Sequence, residues 1–202
     1  MKKYFAPLFF AALLSQAQAQ TALNTSEAIR LVSDLLKANP AGIDTAADRK
    51  FIVVSADFLA LKNLVLGNWS STIDNWDQIT ADNVIGGQFL FLIFEELPAV
   101  DFIALLEKIA ELPSDSKTFK SAAPRIFDGW GKMRGFLADN YQHPRVVALL
   151  NKLKPHFEST TSTGNNITRL LSGQAKADID NFREAHVGLP EGNIPTVLLP
   201  SN

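Results

Sequence analysis

The sequence predicts an all-α fold, a single globular bundle of about seven or eight helices. Three observations carry that expectation. Apolar residues recur at three-and-four spacing along nearly the whole chain. Proline and glycine fall mostly between those periodic stretches. The 202 residues are 47% hydrophobic and 20% charged, which suits a folded domain and not a disordered chain.

The elements follow in order. Asn24 or Thr25 is placed to cap a first helix, with Glu27 positioned to return a hydrogen bond. Ala28, Ile29, Leu31, Val32, Leu35 and Leu36 form its buried stripe, and Asn39-Pro40 ends it. A second helix is expected from about Thr45 to Leu66, with Gly67 as the left-handed residue beyond it. Phe51-Ile52-Val53-Val54 suits a strand on propensity alone, but the flanking alanines favour helix. Asn68 to Ile79 reads as a short helix with Trp69, Ile73 and Trp76 on one face, and Thr80 caps the next segment. That segment, Val84 to Phe94, ends in six consecutive apolar residues from Phe89. A helix apolar all round belongs at the centre of a bundle; a buried strand is the alternative. Gly86-Gly87 weakens its start.

Pro98 opens a helix with a stripe of Phe102, Ile103, Leu105, Leu106, Ile109 and Leu112, and Pro113 closes it. Ser114 to Ala123 reads as a polar connector, and Pro124 opens a helix carrying Ile126, Phe127, Trp130, Met133, Phe136 and Leu137. Val146 to Leu153 forms the next, between Pro144 and Pro155. Ser159 to Asn166 reads as a flexible loop. Ile167, Leu170, Leu171, Ile179 and Phe182 mark a final helix, bent near Gly173. The tail from Gly188 holds Pro190, Pro195 and Pro200, and is expected to run extended with Val197 to Leu199 against the body.

The first residues read as an address. Lys2 and Lys3 precede an apolar run from Phe5 to Leu14, and Ala17 and Ala19 give a small-x-small cleavage pattern. The run is shorter than the roughly 20 residues a membrane span needs. The expected organisation is a signal peptide over 1–19, an all-helical domain over 20–187 and an extended Pro-rich tail over 188–202. Cleavage would remove two lysines and no acid, moving the net charge from −2 to −4. No cysteine is present, so there is neither a disulfide nor a thiolate metal site. Those features favour a periplasmic or secreted protein of bacterial origin. A weak internal similarity links Phe102–Lys108 with Val146–Lys152. Its offset suits a short HEAT-like helical repeat array, the alternative architecture, but the fainter echo at Leu35-Leu36-Lys37 breaks the period.

Candidate chemistry is sparse. His143, His156 and His186 fall in no spacing that puts two metal ligands on one helix face. Neither a nucleophile elbow nor a phosphate loop occurs, and near-zero net charge gives no case for nucleic acid. Glu95 and Glu96 follow the apolar run, with Asp101 beyond them; a carboxylate pressed against phenylalanines is the environment a general acid needs. Trp69 and Trp76, with Asp77 beside them, would make an aromatic binding face if exposed and a core stripe if not. Arg125, Lys132 and Arg134 form a basic cluster suited to a phosphate or carboxylate, and Gly131 and Gly135 allow a close helix contact.

The expected function is therefore a non-enzymatic, exported binding or interaction module without cofactor or metal. Its partner is an unidentified protein or a small-molecule or carbohydrate ligand, recognised at Trp69, Trp76 and Asp77 or at the 159–166 loop. An exported hydrolase using Glu95, Glu96 and Asp101 is the alternative. A membrane-active hairpin over 84–106 ranks last, because those three carboxylates make insertion costly. No stable membrane span is expected after signal cleavage.

Overall fold

The computed structural model describes residues 22–43, 46–128, 132–187 and 194–200; the expected signal peptide lies outside them. The fold is all-α. Among the described residues twelve α-helices and one 3-10 turn occur, and no strand. The helices are α1 (Thr25–Ala38), α2 (Ala46–Val53), α3 (Ala56–Leu66), α4 (Trp69–Asp74), α5 (Trp76–Thr80) and α6 (Val84–Phe94). They continue as α7 (Ala99–Glu111), α8 (Lys117–Asp128), α9 (Lys132–Asp139), α10 (Pro144–Leu153), α11 (Ser162–Leu171) and α12 (Gln174–Ala185).

Helix α6 is the hub. Phe89, Leu90, Ile93 and Phe94 are fully buried, and α1, α3, α5 and α8 all pack on it. Its two glycines are what let neighbours come close. A Cβ on Gly86 would stand 3.1 Å from Val32 of α1, and one on Gly87 would stand 3.0 Å from the Trp76 indole. Around this half, α7 packs on α4, α8 and α10, while α11 joins α8, α10 and α12. The two similar segments of the sequence become the facing helices α7 and α10.

The helix count exceeds the expectation because the expected helix from Pro124 falls on both α8 and α9, and three other expected helices are each divided. Ser55 splits the second: its hydroxyl donates to the Ile52 carbonyl (2.8 Å) and accepts from the Phe58 amide (3.3 Å), closing α2 and capping α3. Asn75 divides α4 from α5, its amide reaching back to the Ser71 carbonyl. Gly173 divides α11 from α12 at φ +78°, with Tyr141 packed so closely that a side chain there would collide.

Several expectations are corrected. Lys117 to Ala123 is helical and not a connector: Ser116 caps α8 by accepting from the Phe119 amide, and Phe119 and Ala122 enter the core. Pro124 therefore lies inside α8 instead of opening a helix, at the expense of one helical hydrogen bond. The expected loop over 159–166 is helix from Ser162, because Thr161 caps α11 and Thr163 and Gly164 are buried. Gly67 is right-handed, at φ −75°. Among the described residues the left-handed ones are Gly42 and Gly173 and, without glycine's freedom, Ala81 and Asp82 at φ 50° and 59°. Gly135 lies against the side chain of Ile194 in the tail and, a little farther off, the Arg183 side chain of α12; Gly131 and Trp130 lie outside the described residues.

Candidate functional site

A concavity lies where α5, α6 and α8 meet. Helix α5 turns successive residues in different directions, so Trp76 points into the core and Asp77 stays at the surface. Trp76 is 3% exposed and packs on Phe91 and Phe94 with ring centroids at 5.2 and 6.5 Å. Its indole N–H donates to the Ser121 hydroxyl (3.1 Å), which donates onward to the Thr118 carbonyl. The Thr118 hydroxyl donates to the Asp77 carboxylate at 2.8 Å. These bonds tie α5 to α8 and fix both sides of the cleft.

The rim is charged in both senses. Lys117 pairs with Asp82 at 2.6 Å, and that bond, aided by the charge of Asp77, raises the lysine above its ordinary value. Lys120, one helical turn along α8, lines the same space and is exposed. Val84, 58% exposed, forms an apolar lip. The pocket holds about 420 Å³, within the usual range for small-molecule sites. Two carboxylates and two ammonium groups face it, so the lining is close to neutral. Ala81 and Asp82 turn the chain from α5 into α6 at the pocket's edge. Two adjacent non-glycine residues in the left-handed region cost roughly 1–2 kcal/mol each, and such strain concentrates at binding and switch regions.

The structure separates the two tryptophans. A face shared at seven-residue spacing requires one continuous helix, and Asn75 breaks it, leaving Trp69 half-buried on α4 and Trp76 buried on α5. The buried Trp76 ring offers no open stacking face; it serves as the floor of the pocket and Asp77 as part of its rim, while Trp69 packs at the edge of the core. Asp82, Lys117, Lys120 and Ser121 are missed by the sequence reading, because the segment before Pro124 reads as a connector. The available signal is the spacing of Lys117, Lys120 and Ser121, three and four apart behind a capping serine.

The acidic candidates are dispersed onto separate cations. Glu95, at the end of α6, pairs with Arg49 of α2, whereas Glu96 pairs with Lys62 of α3 at 2.8 Å. Asp101 is exposed in the first turn of α7. Glu95 borders a small cavity of about 40 Å³ with Phe102, Phe136 and Lys132, and neither of the other two carboxylates lines it. Arg134 is buried and borders a second, more open depression of about 590 Å³ with Asn165, Arg169 and Asn181. Asp178 lies in the same depression and is ion-paired with Arg169. Lys132 faces the small cavity instead, so the expected basic cluster does not assemble around it, and the Arg125 side chain lies outside the described residues.

The histidines serve structure. His143 caps α10 by accepting from the Arg145 amide, His156 packs edge-on against Phe119, and His186 stacks on Phe182 at 4.2 Å. Among the described residues no group of three or more His, Asp or Glu could hold a metal ion, and no helix is long and apolar enough to cross a membrane. Compared with known proteins, the chain matches no family model, no curated protein and no solved structure.

Proposed function

We propose that this chain is an exported, non-enzymatic binding protein that holds a small polar ligand of no net charge in the α5–α6–α8 pocket. The observation that carries the reading is the pocket itself: a rigid indole floor, an apolar lip at Val84, and Asp77, Asp82, Lys117 and Lys120 on the rim. A balanced rim suits a zwitterion, its ammonium end on Asp77 and its carboxylate end on Lys120, or a neutral polyol hydrogen-bonded to both. The export half of the reading rests on the basic, apolar and small-residue order of the first nineteen residues. Against hydrolysis by Glu95 and Glu96 stands their pairing with Arg49 and Lys62.

The test is direct. A chain with Trp69→Phe and Trp130→Phe leaves Trp76 as the single tryptophan, and its fluorescence is titrated with free amino acids and, separately, with neutral mono- and disaccharides. A saturable response to one class, weakened at least tenfold by Asp77→Asn or Lys120→Ala, supports the reading. A flat response to both classes at millimolar concentration refutes it.

A further inference from the structure

The C-terminal segment is held in a groove that treats it as a ligand. Residues 194–200 carry no helix or strand, yet their main chain is bonded along its length. The Asn140 amide donates to the Val197 carbonyl (2.7 Å), and its oxygen accepts from the Leu199 amide (2.8 Å). A side chain that reads the carbonyl of one residue and the N–H two residues on stands in for the peptide group of a neighbouring strand. Arg183 donates to the carbonyls of Ile194 (2.9 Å) and Pro195 (3.2 Å), and His143 Nε2 lies 3.3 Å from the Pro200 carbonyl.

Every one of these polar contacts falls on backbone, so any sequence can supply them. Selection is left to apolar positions. Leu199 is buried, Val197 borders the small cavity beside Phe102 and Phe136, and Ile194 lies over Gly135, which has no side chain to obstruct it. Leu198 points away and is 65% exposed.

The groove is also built independently of what fills it. The Asn140 amide is anchored to the Phe136 carbonyl at 2.8 Å. The Arg183 guanidinium is gripped by both oxygens of Asp139, each at 2.8 Å, and Lys176 lies 3.6 Å from the same carboxylate. Groups fixed by the body keep their places when the segment leaves, and that preorganisation is what a binding site requires.

We propose that this groove, distinct from the α5–α6–α8 pocket, is a peptide-recognition site. Its resident ligand is the chain's own C-terminal segment. A segment of a partner polypeptide with apolar residues two apart, as Val197 and Leu199 are, binds by displacing it. The tether gives the resident segment an effective concentration on the order of millimolar, so it acts as a built-in competitor.

The experiment uses the full chain and a labelled peptide with the sequence of Ile194–Pro200, followed by fluorescence polarisation. Leu199→Asp weakens the chain's own tail and is expected to bind the peptide at least tenfold more tightly than the unmodified chain. Adding Asn140→Ala to that variant is expected to abolish binding, with helical circular dichroism unchanged. A second measurement needs no variant: in the unmodified chain the Leu199 amide, buried and bonded to Asn140, is expected to be protected from hydrogen exchange, and millimolar peptide is expected to deprotect it. The proposal is overturned if folded Leu199→Asp takes up no peptide, or if millimolar peptide leaves Leu199 exchange unchanged. Dimers on light scattering that exchange tails and take up no peptide overturn it too, since the occupant would then be a second copy.

Discussion

The Trp76 indole lies against the backbone of Gly87, so close that a Cβ there would stand 3.0 Å from the ring carbon Cζ2. The ring has little room to yield, because Phe91 and Phe94 pack on it and Ser121 holds its N–H. Alanine at an ordinary helical glycine gains about 1 kcal/mol of propensity. Here overpacking opposes that gain with about 1–3 kcal/mol. Gly87→Ala is therefore expected to destabilise the fold by about 1 kcal/mol net, read as a lower denaturant midpoint. A midpoint that rises would show the indole free to move, and with it the pocket floor.

Ala81 caps α5 in the left-handed region without the side-chain oxygen that lets Asp82 tolerate the same conformation. Glycine would remove a strain of about 1–2 kcal/mol while adding about 0.5–1 kcal/mol of unfolded-state entropy. Ala81→Gly is expected to raise stability by about 0.5–1 kcal/mol in chemical denaturation. If the strained turn fixes the pocket rim, the same variant binds the pocket ligand more weakly. Higher stability with unchanged affinity would assign the strain to chain connection alone.

Acid should act through α12. Asp180 accepts first from Lys176, against an opposing effect of burial, and then from Arg183; together they hold its carboxyl below the ordinary aspartate value. A folded-state value below the unfolded one gives stability that is complete above about pH 4 and lost as pH falls through the folded value. Glu27, bonded to Arg30, and Asp34, bonded to Lys37, are lowered as well and act in the same window. Because Asp180 is 49% exposed, solvent screening keeps its share to about 0.5 kcal/mol. Asp180→Asn should start below the unmodified chain at pH 6 and converge with it by about pH 2. A constant offset across that range would show that the carboxylate acts by packing and not by charge.

How far the sequence reached depended on the kind of information each feature needs. The stripes of α7 and α10, and that of α1 except for Ile29, which is exposed, were legible because helical spacing of apolar residues survives without knowledge of the partner. The caps at Asn24 and the stop at Asn39-Pro40 were legible for the same local reason. What failed was non-local. Gly86 and Gly87 read as helix-weakening until Val32 and Trp76 are seen against them. Phe119 and Ala122 were lost in a stretch rich in serine and lysine, where the Ser116 cap was the one local cue. The tail was expected against the body, but Asn140, fifty-seven residues before Val197, carries no mark in sequence of the backbone it holds.

The two tryptophans, alike in sequence, should separate sharply in energetics. Trp76 is 3% exposed, its N–H is satisfied by Ser121, and its ring abuts Gly87, Phe91 and Phe94. Phenylalanine there leaves a void where the larger ring lay and leaves Ser121 without its donor. Each is a recognised source of large destabilisation, and together they should cost about 2–3 kcal/mol. Trp69 is half-buried at the edge of the core, where solvent can fill what a smaller ring vacates. Trp69→Phe is therefore expected to cost under about 1 kcal/mol. The paired comparison is made by urea denaturation at pH 7, with the slope checked for a common unfolded state. Equal losses at the two positions would mean that Trp69 is as deeply engaged as Trp76, restoring the single aromatic face that the break at Asn75 removes.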